Sequence, residues 1–87
     1  MNLTPQQHQE HIEKLKRYRD DWQTVAASAA AERDRLLDLA SRGASLGHDV
    51  EADILQRAAE QKDALARKAH EAQIYMESQL GHAQAGL

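Results

Sequence analysis

The chain has 87 residues, a formal net charge of −3, one proline and no cysteine. Such a length holds one domain at most, the missing thiols exclude disulfides and cysteine chemistry, and the near-balanced charge offers no global field of one sign to nucleic acid or an anionic membrane. Of 36 hydrophobic residues, 16 are Ala, so bulky apolar side chains are scarce for a chain that must bury a core.

Residues 1–4 read as an N-terminal tail. The opening Met-Asn-Leu-Thr-Pro-Gln-Gln is polar and lacks the apolar core of a signal sequence. The longest apolar run, residues 25–31, is mostly Ala and is broken by Ser28. A cytoplasmic protein that does not span a membrane is the expectation.

A first helix is expected over residues 5–42. Thr4 is placed to cap a free amide, Pro5 suits the first helical position, and Gln7 stands where a capping box wants Glu or Gln. Its apolar or small stripe runs Ile12, Leu15, Tyr18, Trp22, Val25, Ala29, Leu36 and Leu39 in steps near three and four. Glu32 or Arg33 fills one skipped place, which is how polar groups fix register in a helical seam. Gly43 follows as the expected left-handed residue that ends the helix.

Residues 43–49, rich in Gly and Ser, form the expected loop, and a second helix follows over residues 50–80. Asp49, or Ser45 one turn earlier, is the expected cap. The stripe reads Val50, Ile54, Ala58, Leu65, Ala69, Ala72, Met76 and Leu80, with Gln61 or Lys62 in its skipped place. Gly81 is expected to close the helix, leaving residues 81–87 as a flexible tail. Acid-first pairs four apart, such as Asp38 with Arg42, Asp53 with Arg57 and Asp63 with Arg67, support both helices locally.

These elements predict an all-α fold: an antiparallel two-helix hairpin, coiled-coil-like, that dimerises into a four-helix bundle because one copy has too few bulky residues to shelter itself. Folding about residue 46 sets Ile12 near Leu80 and the Ala-rich middles of the helices against each other, with residues 5–11 overhanging.

Candidate chemistry is thin. His8 and His11 share a helical face and could hold a transition metal, with His82 as a third ligand, but surface or structural histidines explain them better. The basic run Lys14-Leu-Lys-Arg-Tyr-Arg19, beside Trp22, could grip phosphates. Its aromatics are better explained as core. No catalytic constellation is visible, and no cofactor is expected.

The functional expectation is therefore a non-catalytic protein–protein interaction module, a small adaptor, chaperone or inhibitor. It would associate with itself and hold a larger protein through Lys14, Leu15, Arg17, Tyr18, Arg19, Trp22, Tyr75 and Met76. The alternatives are a nucleic-acid-associated regulator using residues 14–19, or a self-assembling scaffold.

Overall fold

A computed structural model describes residues 3–86 as two helices, α1 (Pro5–Ser45) and α2 (Asp49–Ala85), packed side by side along their lengths. The result is a rod measuring 64 × 15 × 13 Å. No strand occurs among the described residues. The parts of the expected tails that fall on Met1, Asn2 and Leu87 lie outside that range.

The start of α1 is fixed locally. Thr4 Oγ1 accepts from the Gln7 amide at 3.1 Å, and the Gln7 side chain accepts from the Thr4 amide at 3.0 Å, which completes the capping box around Pro5. The other end differs from the expectation. Helix α1 runs through Gly43 to Ser45, and the left-handed residue is Gly47, at φ 78°. The Gly47 amide donates to Ala44 O at 3.0 Å and the His48 amide to Gly43 O at 2.8 Å. That double bond pattern is a Schellman closure, and it uses carbonyls that would otherwise lack partners. Gly43 instead serves close approach: a Cβ there would meet Ala52 Cβ at 3.8 Å.

Two further expectations need correcting. The residue ahead of α2 is His48, which makes no side-chain cap, and Asp49 is already helical, so only residues 46–48 connect the helices. Gly81 does not stop α2, which continues to Ala85. Open space around Gly81 places nothing against it, and one glycine costs a helix only about 1 kcal/mol relative to Ala. The longer α2 removes the predicted overhang, because Ala83 O lies 2.8 Å from His8 Nε2.

The interhelical seam follows strict alternating steps of four and three. In α1 it runs His8, Ile12, Leu15, Arg19, Trp22, Ala26, Ala29, Arg33, Leu36, Ala40 and Gly43, all buried or half-buried except Trp22. In α2 it runs Ala52, Leu55, Ala59, Lys62, Ala66, Ala69, Gln73, Met76, Leu80 and Ala83, all buried or half-buried. Large buried side chains gather at the open end, where Ile12, Leu15 and Leu80 form one cluster with Met76 and Ala83 against it. Elsewhere the buried residues are Ala29, Ala40, Ala59, Ala66 and Ala69.

This seam is not the stripe expected from the sequence. Tyr18, Leu39, Val50, Ile54 and Leu65 were assigned inward and are exposed, and Trp22 is 39% exposed. The physical reason is the width of the seam. Alanines let the helix axes come to the short end of the ~8–10 Å packing range, which leaves no depth for larger side chains beside them.

The turn assignment can be checked directly. Gly47→Ala is expected to cost about 1–2 kcal/mol, since a Cβ at positive φ meets the following carbonyl. Gly43→Ala should be neutral or stabilise by up to about 1 kcal/mol. Urea denaturation of the two variants that ranked them in the opposite order would refute the closure at Gly47.

Candidate functional site

Because the seam takes small residues, many of the large ones fall on its flanks. Tyr18, Val25 and Leu39 each stand one place ahead of the seam residues Arg19, Ala26 and Ala40, so they line a single edge of α1. On α2, Ala58, Leu65 and Ala72 stand one place ahead of Ala59, Ala66 and Gln73. Ile54 lies one turn before Ala58 and Tyr75 one turn after Ala72, which puts both beside that edge.

The two edges lie on the same side of the hairpin. Val25, Ser28, Ala29 and Glu32 of α1 line a groove of about 240 Å³ together with Lys62 and Leu65 of α2. Next to it, Tyr18, Asp21, Trp22 and Val25 line a second groove of about 230 Å³. Both are shallow and open. The flank carries Tyr18, Trp22, Leu39, Ile54, Leu65 and Tyr75, all exposed, and the Glu32–Arg35 ion pair at 3.1 Å interrupts its α1 edge between Val25 and Leu39.

The opposite flank has a different character. A groove of about 480 Å³ there is lined by Arg33, Asp34, Leu37, Ala59, Glu60 and Asp63. Arg33 Nη1 lies 2.8 Å from Asp63 Oδ1, joining α1 to α2, while Arg33 Nε binds Asp34 at 3.0 Å and Arg67 Nε binds Asp63 Oδ2 at 2.9 Å. Glu32 and Arg33 at the skipped place of the first stripe are expected to face the Gln61 or Lys62 gap; the partner of Arg33 is Asp63, which also pairs with Arg67 as its spacing predicts. Exposed Leu37 and Ile74 are isolated apolar residues on this side, as soluble surfaces commonly have.

The Arg33 hydrogen bond holds the Asp63 carboxyl below the usual carboxylate range; partial desolvation opposes this, and the nearby Arg67 charge supports it. Arg33 is correspondingly held more firmly protonated, first by its hydrogen bond with Asp63 and then by that with Asp34.

The expected anchors divide accordingly. Tyr18, Trp22 and Tyr75 stand on the apolar flank, whereas Leu15 is buried in the open-end cluster and Met76 packs against it. The basic run does not form one patch. Lys14 and Arg17 are exposed, Lys16 and Arg19 are half-buried, and Arg19 occupies the seam. Lys16 pairs with Glu13 at 3.6 Å and Arg19 with Asp20 at 3.0 Å, while Lys14 Nζ sits 5.8 Å from the Tyr18 ring centre. Helical geometry thus spreads the cluster around α1.

The His8 ring is engaged at the Ala83 carbonyl, and among the described residues no three His, Asp or Glu side chains come together as a metal site would need. No described helix is long and apolar enough to cross a membrane. Sequence reasoning missed the interhelical role of Asp63 and the flank position of Leu65. A strict four-three spacing applied to Ala as well as to the large residues carries both signals. Set against known protein families, curated proteins and solved structures, the chain matches none of them.

The ion pair predicts an acid response of known sign. Since folding lowers the Asp63 value, its contribution is present above about pH 4, the ordinary unfolded value, and is lost as pH falls through the lower folded value. The melting temperature of Asp63→Asn should therefore lie below that of the native chain near pH 6, with the gap closing in acid. A gap that does not change with pH would refute the pairing.

Proposed function

We propose that the chain is a non-catalytic helical protein–protein interaction module, of the adaptor, chaperone or inhibitor kind. It associates with itself and holds a larger protein through one side of the hairpin. The observation that carries this reading is the apolar flank: Tyr18, Trp22, Leu65 and Tyr75 stay 39–58% exposed on one side, while the other side is occupied by the Arg33, Asp34, Asp63 and Arg67 ion pairs.

Several features support it. Aromatic side chains supply large contact area at low entropic cost, and they dominate interface energetics wherever they are buried by a partner. Six large apolar side chains exposed on one side of a small protein are the kind of concentration that a partner surface covers. The shallow grooves suit helix-in-groove recognition, in which an apolar stripe of one helix lies between two others. Lys14 and Arg17 at one end of the strip would orient a partner by charge rather than hold it. The distribution of the basic run around α1 argues against a phosphate-tracking surface, which needs its cations on one face.

A photo-reactive amino acid placed at Tyr75 should give protein adducts in the native cell, and the same group at Glu60, on the charged flank, should give few. Equal labelling from both positions, or adducts to nucleic acid from Tyr75, would overturn the reading.

Replacing Trp22 separates burial within the hairpin from burial by a partner. Trp22→Ala should reduce stability by less than the ~3–5 kcal/mol of a buried Trp when the protein is dilute. At high concentration the loss should grow, because the binding surface is damaged as well. A loss independent of concentration would place the indole's role wholly within one hairpin.

A further inference from the structure

Resting on the interaction reading above, we infer that the occupant of the apolar flank is a second copy of the chain, laid with its loop at the opposite end. The flank has a symmetry of its own. Tyr18 and Leu39 are 21 residues apart on α1, and Ile54 and Tyr75 are 21 residues apart on α2. That separation is three seven-residue repeats, so the members of each pair share an edge of their helix, roughly 32 Å apart.

The midpoints lie at residues 28–29 on α1 and 64–65 on α2. Val25, Ser28 and Ala29 line one groove with Leu65, which places both midpoints at the same level of the hairpin. The strip therefore has a centre near Leu65 and two arms of equal length, an aromatic one carrying Tyr18, Trp22 and Tyr75 and an aliphatic one carrying Leu39 and Ile54. A two-fold axis through this centre, crossing the helices, lays each aromatic arm on the partner's aliphatic arm and sets Leu65 against its own copy.

Size favours this alignment over the one with both loops at the same end. Turning the copy the other way would bring six aromatic rings together at one end and only Leu and Ile at the other, which splays the hairpins. Pairing large with small keeps the layers even. Asp21 also comes to the level of the partner's Arg35, which within its own chain pairs with Glu32 at 3.1 Å, whereas Lys14 and Arg42, which come level at the outer ends, are exposed to screening solvent, and Arg42 is already neutralised by Asp38 at 3.0 Å.

Area supports a copy as occupant. Taking a large side chain at roughly 200 Å², the exposed parts of Tyr18, Trp22, Leu39, Ile54, Leu65 and Tyr75 amount to on the order of 600 Å² per copy. With a polar rim this approaches the ~800 Å² per partner of a stable interface. A closed two-fold contact uses the same patch twice, and it provides each hairpin with the cover that Ile12, Leu15 and Leu80, its large buried side chains, do not give it.

The chain has no cysteine, so introduced thiols report unambiguously. Single variants Tyr18→Cys, Leu39→Cys and Tyr75→Cys would be made in separate full-length copies, mixed in pairs and oxidised mildly, with sedimentation equilibrium on the unmodified chain at about 50 μM, well above the micromolar Kd that anchors an ordinary specific complex. A dimer should sediment, and the 18–39 mixed disulfide should exceed the 18–75 one by at least about tenfold, given the ~30 Å separation of the arms. Predominant 18–75 linkage would overturn the inverted alignment. A monomer at that concentration would overturn the inference altogether, whereas adducts of larger mass from the Tyr75 photo-probe would still uphold the interaction reading.

Discussion

The narrowness of the seam between α1 and α2 governs the rest of the structure. Ala26, Ala29, Ala59, Ala66 and Ala69 occupy the middle of both helices where they face each other. Small side chains permit close backbone approach, and close approach in turn excludes large ones. What would be a core residue in a wider bundle is displaced to the edge. Trp22 shows the compromise: it holds a seam position by spacing, yet 39% of it remains exposed because the space beside it is too shallow for an indole. Bulk is most fully buried at the open end, where Ile12, Leu15 and Leu80 pack together with Met76 against them, while Leu36 and Leu55 nearer the loop are half-buried.

A seam of alanines is weakly specific, since one small residue fits as well as another and a hairpin could slide by a turn at little cost. Three devices limit this. The Schellman closure at Gly47 and the connection of residues 46–48 fix the register at one end. The Ile12, Leu15 and Leu80 cluster fixes it at the other. Between them the Arg33 to Asp63 pair bridges the helices on the charged flank, and a pair that must meet within hydrogen-bond distance is sensitive to a shift that alanines would tolerate. Exposure keeps its energetic worth small, so its contribution is to the choice of register more than to stability.

Much of this architecture is legible in the sequence, for reasons that can be named. Thr4, Pro5 and Gln7 announce the start of α1 through local chemistry that depends on nothing distant, and the contact of Ile12 with Leu80 follows from folding two long periodic stretches about a short loop. The failures share a cause. Hydrophobicity alone puts Tyr18, Leu39, Val50, Ile54 and Leu65 inside, whereas the width of the seam keeps them out. Gly43 reads as the helix terminator from its glycine freedom after Arg42, and only the position of α2, with Ala52 close to Gly43, shows that the left-handed residue is Gly47 instead. Gly81 misled similarly, since a glycine late in a helix is a stop signal only where the chain has reason to leave.

The displacement of bulk to the edge also accounts for why the hairpin has two unlike sides. Had the large residues been scattered evenly around α1 and α2, the rod would carry isolated apolar spots, which water tolerates. Instead the seven-residue repeat that positions the seam also positions the residues just ahead of it, so Tyr18, Val25 and Leu39 on α1 and Leu65 on α2 are aligned by the same periodicity that aligns the alanines. On the remaining side Arg33, Asp34, Asp63 and Arg67 pair with one another, beside exposed Leu37 and a groove of about 430 Å³ lined largely by Ala26, Ala27, Ala30 and Ala66. The narrow contact that holds the hairpin together is thus what leaves its aromatic side chains at the edge, exposed to solvent.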